Sequence, residues 1–301
     1  MLWRCFIFIL LPLAVFGQQD PQYTNYMYAM QVVNPAYVGL NESLSVGVLY
    51  RNQWTGFDGA PETGTLFGHS PLSSKISVGL SVIADQIGPV KETNLYTDLS
   101  YTIELNETHN LAFGIKAGAT FHNIGTNTLT VFDPNDPFFN ERVNSTTPNF
   151  GAGLFFYSDN YYAGFSIPNF LNAVHLNANN NRLGTETQHF FFTGGYVFSL
   201  SETVKLKPSF LVKSAFEAST SFDLNLNTLL YDTLELGASY RYDDSFSALV
   251  NFAVQPNLKI GYAYDAIVSD IQPFAPSSHE VFILYQFDTS DDRRIKSPRF
   301  F

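Results

Sequence analysis

Leu111-Ala112-Phe113-Gly114-Ile115-Lys116-Ala117-Gly118-Ala119-Thr120-Phe121 alternates from end to end. Its odd positions are apolar, and its even positions are Ala, Gly, Lys, Gly and Thr. An extended chain sends successive side chains to opposite faces, so a strand here has one greasy face and one small or charged face. The same alternation recurs along the chain. It predicts fourteen strands at about 43–53, 62–70, 75–84, 91–104, 111–121, 148–157, 161–167, 188–198, 204–213, 219–230, 233–242, 246–254, 258–266 and 279–287. A sheet that is apolar outward and polar inward is the pattern of a transmembrane β-barrel, so the expected fold is an all-β, antiparallel outer-membrane barrel.

The segments outside this pattern set the domain plan. Residues 1–17 carry a short basic start at Arg4 and an apolar run from Cys5 to Phe16, which reads as a cleavable export signal. That run is too short to span a bilayer as a helix. Residues 18–42 are not strand-like, because Pro35 would interrupt a ladder; they form an expected periplasmic or lumenal arm. The barrel occupies 43–287 and a short tail 288–301. Cys5 is the only cysteine, so the chain after the signal has neither a disulfide nor thiol chemistry.

Composition agrees. Aromatic residues make up 16% of the chain and charged residues 14%, against about 25% charged in typical soluble domains. Aromatics suit strands and the interfacial girdles of barrels. The net charge of −11 argues against nucleic acid, whose phosphates demand a concentrated basic surface. Among the expected connections, the long ones are the fifth, seventh and thirteenth, and the even-numbered ones are all short. Bacterial barrels keep short turns in the periplasm and long loops outside. Both ends of the chain are therefore expected in the periplasm, with the loop that follows strand one outside the cell.

On the inward face the registers collect Lys116, Asp223, Glu235, Arg241, Asp265 and Glu280, along with Lys205, Lys207, Lys213, Asn225 and Asn227. Charges of both signs in a narrow lumen pair with one another, because an isolated buried ion is costly. A structural network filling the interior is the first reading, and a conducting pore with charged rings the second.

No catalytic constellation emerges. The six histidines lack metal-ligand spacing. Ser278-His279-Glu280 cannot form a triad, since neighbours on one strand face opposite ways. Oxygen-rich loops at Asp85 and Asp133-Pro134-Asn135-Asp136 lack the usual calcium framework. No enzyme, cofactor or metal is expected.

Several segments carry a family resemblance. They are Gln19-Asp20-Pro21-Gln22-Tyr23-Thr24-Asn25-Tyr26-Met27, Val33-Asn34-Pro35-Ala36-Tyr37-Val38-Gly39, the stretch from Tyr50 to Pro61 containing Arg51-Asn52-Gln53-Trp54-Thr55-Gly56-Phe57-Asp58-Gly59-Ala60-Pro61, Asp85-Gln86-Ile87-Gly88-Pro89, Ile260-Gly261-Tyr262-Ala263-Tyr264-Asp265 and Ser278-His279-Glu280. Across nearly the full length after the signal, the chain resembles the PorP/SprF family of outer-membrane proteins, tied to type IX secretion and gliding motility in Bacteroidota. The resemblance implies a non-enzymatic barrel set in outer-membrane lipid. Its implied partners are a secreted adhesin or other secretion substrate, or subunits of the secretion machine. The candidate contact residues are Trp54, Phe57, Asp58, Asp85, Asn34 and Tyr37. Trp54 has two readings: an apolar anchor for a partner, or a strand-end member of the aromatic girdle. A diffusion porin is the alternative function.

Overall fold

A computed structural model describes residues 22–40, 43–125, 142–171, 174–178, 181–185, 188–215 and 218–287. The strands are β1 Ser45–Thr55, β2 Glu62–Pro71, β3 Ile76–Ile87, β4 Val90–Glu104, β5 Asn110–Gly125, β6 Arg142–Tyr157, β7 Tyr161–Ile167, β8 Val174–Ala178, β9 Asn181–Thr185, β10 His189–Tyr196, β11 Phe198–Ser199, β12 Val204–Ala215, β13 Ala218–Leu230, β14 Leu234–Arg241, β15 Ser245–Gln255, β16 Leu258–Ile267 and β17 Ser277–Gln286. Each neighbouring pair is antiparallel, β1 pairs with β17, and β10 pairs with β12. The wall is therefore a closed barrel of fourteen strands. The short β11 extends β10 beyond Val197 along β12, and β8 with β9 forms a separate hairpin. Closure removes the unpaired edges that an open sheet would expose to hydrocarbon. Among the described residues no helix is long and apolar enough to cross a membrane.

Alternation shapes the wall as the sequence predicts. On β5, Ala112, Gly114, Lys116, Thr120 and His122 are turned inward, while Phe113, Ile115 and Phe121 are exposed outside. The exterior band includes Val48, Leu66, Leu80, Leu99, Leu224 and Ile283, and the interior collects serines, threonines, asparagines and charges. This distribution is inverted relative to a water-soluble core and matches a lipid-facing surface.

Three strand ends run well beyond the expectation. β3 runs to Ile87, which leaves Gly88-Pro89 as the turn and places Asp85 on the wall. β5 runs to Gly125, and β6 begins at Arg142 rather than near Pro148. Proline survives inside β6 because it sits at an edge: β7 covers only residues 152–157, and among the described residues the side of β6 away from β5 has no strand partners nearer its start. Phe170 N–H donates to the Phe150 carbonyl, so Pro148, two residues away, turns its missing donor toward that same side. The seventh connection, expected as plain loop, contains the β8–β9 hairpin. The Thr128–Phe132 stretch and the Asp133–Asp136 segment lie outside the described residues, as do the export signal and the tail.

Connections 56–61, 88–89, 242–244 and 268–276 share one rim with the start of β6 and the end of β7. The opposite rim carries 72–75, 105–109, 158–160, 200–203, 231–233 and 256–257, all short. The first rim is the outer one by the loop rule for bacterial barrels.

Candidate functional site

The lumen is occupied by the arm. Residues 22–40 fold into turns, a short helix α1 at Met30–Val33 and a 3-10 helix at Pro35–Leu40. Tyr23, Tyr26, Met27, Tyr28, Met30, Val33, Ala36, Tyr37 and Leu40 form one apolar cluster with the wall residues Leu49, Phe67, Phe155, Tyr162, Leu211 and Phe282. A cavity of about 10 Å³ remains beside Met30 and Tyr37, roughly the room one water needs.

Polar groups fasten this plug around its circumference. Arg51, 2% exposed, pairs with Asp265 at 2.7 Å and Glu280 at 3.1 Å. The Glu280 carboxylate also accepts the backbone N–H groups of Thr24 (2.9 Å) and Asn25 (2.7 Å). Thr24 Oγ1 donates to Asp265 and accepts from Arg51. Lys116 pairs with its cross-strand neighbour Asp98 at 3.4 Å and donates to the carbonyls of Gln31 and Val32, which the short α1 leaves without helical partners. Tyr28 donates to Glu235, which also accepts from Asn227 at 2.6 Å. Arg241 grips Asp223, directly opposite on β13, through two bonds of 2.9 Å. The fork geometry of guanidinium on carboxylate makes such pairs strong and directional.

Close approach on the other wall needs glycine. A Cβ at Gly114 would collide with the Pro35–Ala36 backbone, and one at Gly153 with Asn34 Oδ1. Asn34 Nδ2 then reaches the Leu154 and Phe165 carbonyls, and Asn34 Oδ1 accepts the Ala36 N–H.

The arm has a direction. Gln22 meets Ser221, near the outer start of β13, and Thr24 meets Asp265 and Glu280 at the outer ends of β16 and β17. Further along, Gln31 meets His69, and Thr102 beside the periplasmic end of β4 reaches Gly39. The described arm therefore descends from the outer mouth to the periplasmic rim, where β1 begins.

Outside the lumen, the first outer loop is held open by its backbone. Gly56 and Gly59 take φ of 96° and 77°, as a folded loop at those positions requires. Trp54 has φ 55°, a strained value for a bulky residue, at an irregularity in the β1–β17 pairing. Its backbone N–H donates to Ser278 Oγ at 3.0 Å, and its buried indole N–H lacks an acceptor among the described residues. Phe57 and Asp58 are exposed. A groove of about 370 Å³ runs beside them, lined by Asn52, Thr55, Glu62 and Gln86.

The family model of the type IX secretion system membrane protein PorP/SprF matches residues 15–285. The chain belongs to the PorP/SprF family. It is a type IX secretion barrel of the outer membrane, a setting that implies interaction with secretion-machinery components. Among solved structures, it is similar to a FadL homologue from Pseudomonas aeruginosa, with a TM-score of 0.51 and 13% identity over 91% of this chain and 100% of that one. It is also similar to the toluene transporter TbuX of Ralstonia pickettii, with a TM-score of 0.54 and 10% identity over 87% and 94%. The toluene transporter TodX of P. putida gives 0.51 and 9% over 88% and 94%. At such identities the likeness concerns the barrel fold alone. No curated protein matches the chain by sequence.

The structure sorts the segments shared with the PorP/SprF family into two groups. Asn34 and Tyr37 are buried, Tyr37 edge-on to Phe155 at 5.6 Å, so neither is open to a partner while the arm is in place. Asp85 turns toward the lumen near its mouth and accepts from Thr63 at 2.5 Å. Trp54 is half-buried, and only Phe57 and Asp58 of the six contact candidates are fully on the surface. The lumenal candidates Lys116, Asp223, Glu235, Arg241, Asp265 and Glu280 are all buried inside. Sequence reasoning missed Arg51, the hub of the clamp; its odd position on β1, opposite the apolar Tyr50 face, was the available signal. It also missed loop 268–276, which lies against the first outer loop.

Proposed function

We propose that this PorP/SprF barrel is a closed, non-enzymatic scaffold that assists export or cell-surface attachment of secreted adhesins. The observation carrying this reading is the filled lumen: the arm takes the space a solute would need, and the exposed family-specific residues gather at the outer loops. Lipid contacts the exterior band, and the loops and mouth contact protein. The short connections at the opposite rim offer a second surface, through which the same barrel would couple to the periplasmic secretion and gliding machinery. Deleting the gene and measuring adhesin retained on intact cells tests the proposal. Loss of surface adhesin, restored by the wild-type gene, is the expected result; unchanged secretion and gliding in a strain without a paralogue would overturn it. A diffusion porin requires an open lumen. Purified protein in a planar bilayer is expected to stay closed, and a stable open conductance would favour the porin instead.

A further inference from the structure

Four outer connections are bound into one continuous surface. Gly88 N–H donates to the Gly59 carbonyl at 2.9 Å, tying the β3–β4 turn to the β1–β2 loop. That loop approaches the β16–β17 loop, since a Cβ on Gly56 would stand 3.9 Å from the Phe274 carbonyl oxygen. The β16–β17 loop in turn donates from Val268 (2.8 Å) and Ser269 (3.3 Å) to the Asp244 carbonyl in the β14–β15 turn. Hydrogen bonds of this kind make a shared platform from loops that are far apart in sequence.

Two chemistries are displayed on it. Phe57, Tyr242 and Phe274 are 48%, 65% and 68% exposed, and all three lie on connections at the outer rim rather than on the strands that form the lipid band. Asp58, Asp243 and Asp270 are exposed beside them, and the four connections contain no lysine, arginine or histidine. Trp54, with φ 55°, keeps a conformation that the surrounding structure sustains, while Asp243, with φ 57°, takes the left-handed geometry that aspartate adopts readily in a tight turn.

Exposed aromatics set among Asp58, Asp243 and Asp270, on connections that carry no base of their own, select a partner by charge. We propose that this platform docks a cationic, aromatic-bearing extended segment of an extracellular polypeptide. The inference rests on the adhesin-handling function above and names the chemistry of its partner. Anionic lipid headgroups would be repelled by the same acids, which is why a polypeptide is the occupant.

The test uses purified full-length protein in detergent and a dye-labelled peptide of alternating lysine and phenylalanine, read by fluorescence anisotropy. A glutamate–phenylalanine peptide is the control. The lysine peptide is expected to bind and to weaken as salt is added. Combined Asp58→Asn, Asp243→Asn and Asp270→Asn substitution is expected to weaken it about tenfold, the combined effect of three exposed charge pairs. Phe57→Ala with Phe274→Ala is expected to weaken it comparably at any salt concentration. Glu107→Gln, Asp159→Asn and Glu202→Gln, which remove the same charge from the opposite rim, are expected to leave it unchanged. Equal binding of the two peptides, equal loss from both rims, or binding to anionic-lipid vesicles in place of the peptide would overturn the proposal. This readout does not involve secretion, so failure of the gene-deletion test with intact peptide binding would fault the adhesin reading and spare the platform.

Discussion

Replacing Arg51 by methionine isolates the clamp that holds the plug. Methionine keeps an unbranched stem of similar course and loses the guanidinium with its charge. Asp265 and Glu280, each 1% exposed, would then face each other's charge without a guanidinium between them. Breaking a buried ion pair from one side costs about 3–5 kcal/mol, because the partner left behind is buried and uncompensated. Two such partners remain here, so the upper part of that range applies. Glu280 keeps its two backbone donors from Thr24 and Asn25, which moderates its share. Urea unfolding of the purified barrel in detergent, followed by circular dichroism, measures the loss. Adding Asp265→Asn removes one stranded charge. A double-mutant cycle between Arg51→Met and Asp265→Asn should therefore show a coupling of about 2 kcal/mol. A loss below about 1 kcal/mol for Arg51→Met, with no coupling to Asp265, would refute the clamp.

The rest of the plug can be tested by removal and by crowding. Deleting residues 22–40 should leave a stable barrel that conducts ions in a planar bilayer, where the intact protein is expected to stay closed. Gly153→Leu should force Asn34 off the Leu154 and Phe165 carbonyls and cost about 1–3 kcal/mol by overpacking, with intermittent conductance as the second readout. Lys116→Met should cost about 3 kcal/mol or more, since Asp98 would be left buried without its cation. Phe57→Ala should change unfolding stability by less than about 0.5 kcal/mol, because the side chain is exposed, while still reducing partner binding.

The wall was legible because a strand has only two faces. One glance at Leu111–Phe121 assigns lipid and lumen, and the assignment propagates through hairpins whose turns are short. The lumenal charges follow from the same parity: Lys116, Asp223 and Arg241 are inward because their neighbours are apolar. Parity does not say how far a strand runs beyond its apolar part. The outer ends of β3, β5 and β6 are polar on both faces, so Asp85 and Thr146 read as loop. Nor does periodicity describe the arm. Its helices, of four and six residues, have no repeat long enough to detect, and its path is set by partners far away in sequence, such as Thr24 with Glu280 and Asn34 with Leu154. The association of loops 56–61 and 268–276 was hidden for a related reason. It depends on β1 closing against β17, a pairing between the two ends of the barrel sequence.

That closing seam is where the plug and the outer platform meet. β1 carries Arg51 and, three residues on, Trp54; β17 carries Glu280 and, two residues earlier, Ser278. Arg51 bonds Glu280 inside the lumen, and Trp54 bonds Ser278 at the rim. The first outer loop therefore rises directly from the part of the wall most tightly fastened to the arm. A partner bound at Phe57 would pull on β1 and β17, where buried ion pairs and the ladder from Ser45 to Thr55 resist together. Loosening the clamp should then weaken binding at a surface the clamp never touches. Arg51→Met is expected to lower affinity for the lysine–phenylalanine peptide even at temperatures where the barrel stays folded. Unaltered affinity in that variant would mean that the loop is held by its own backbone, through Gly59 and Gly88, and owes nothing to the lumen.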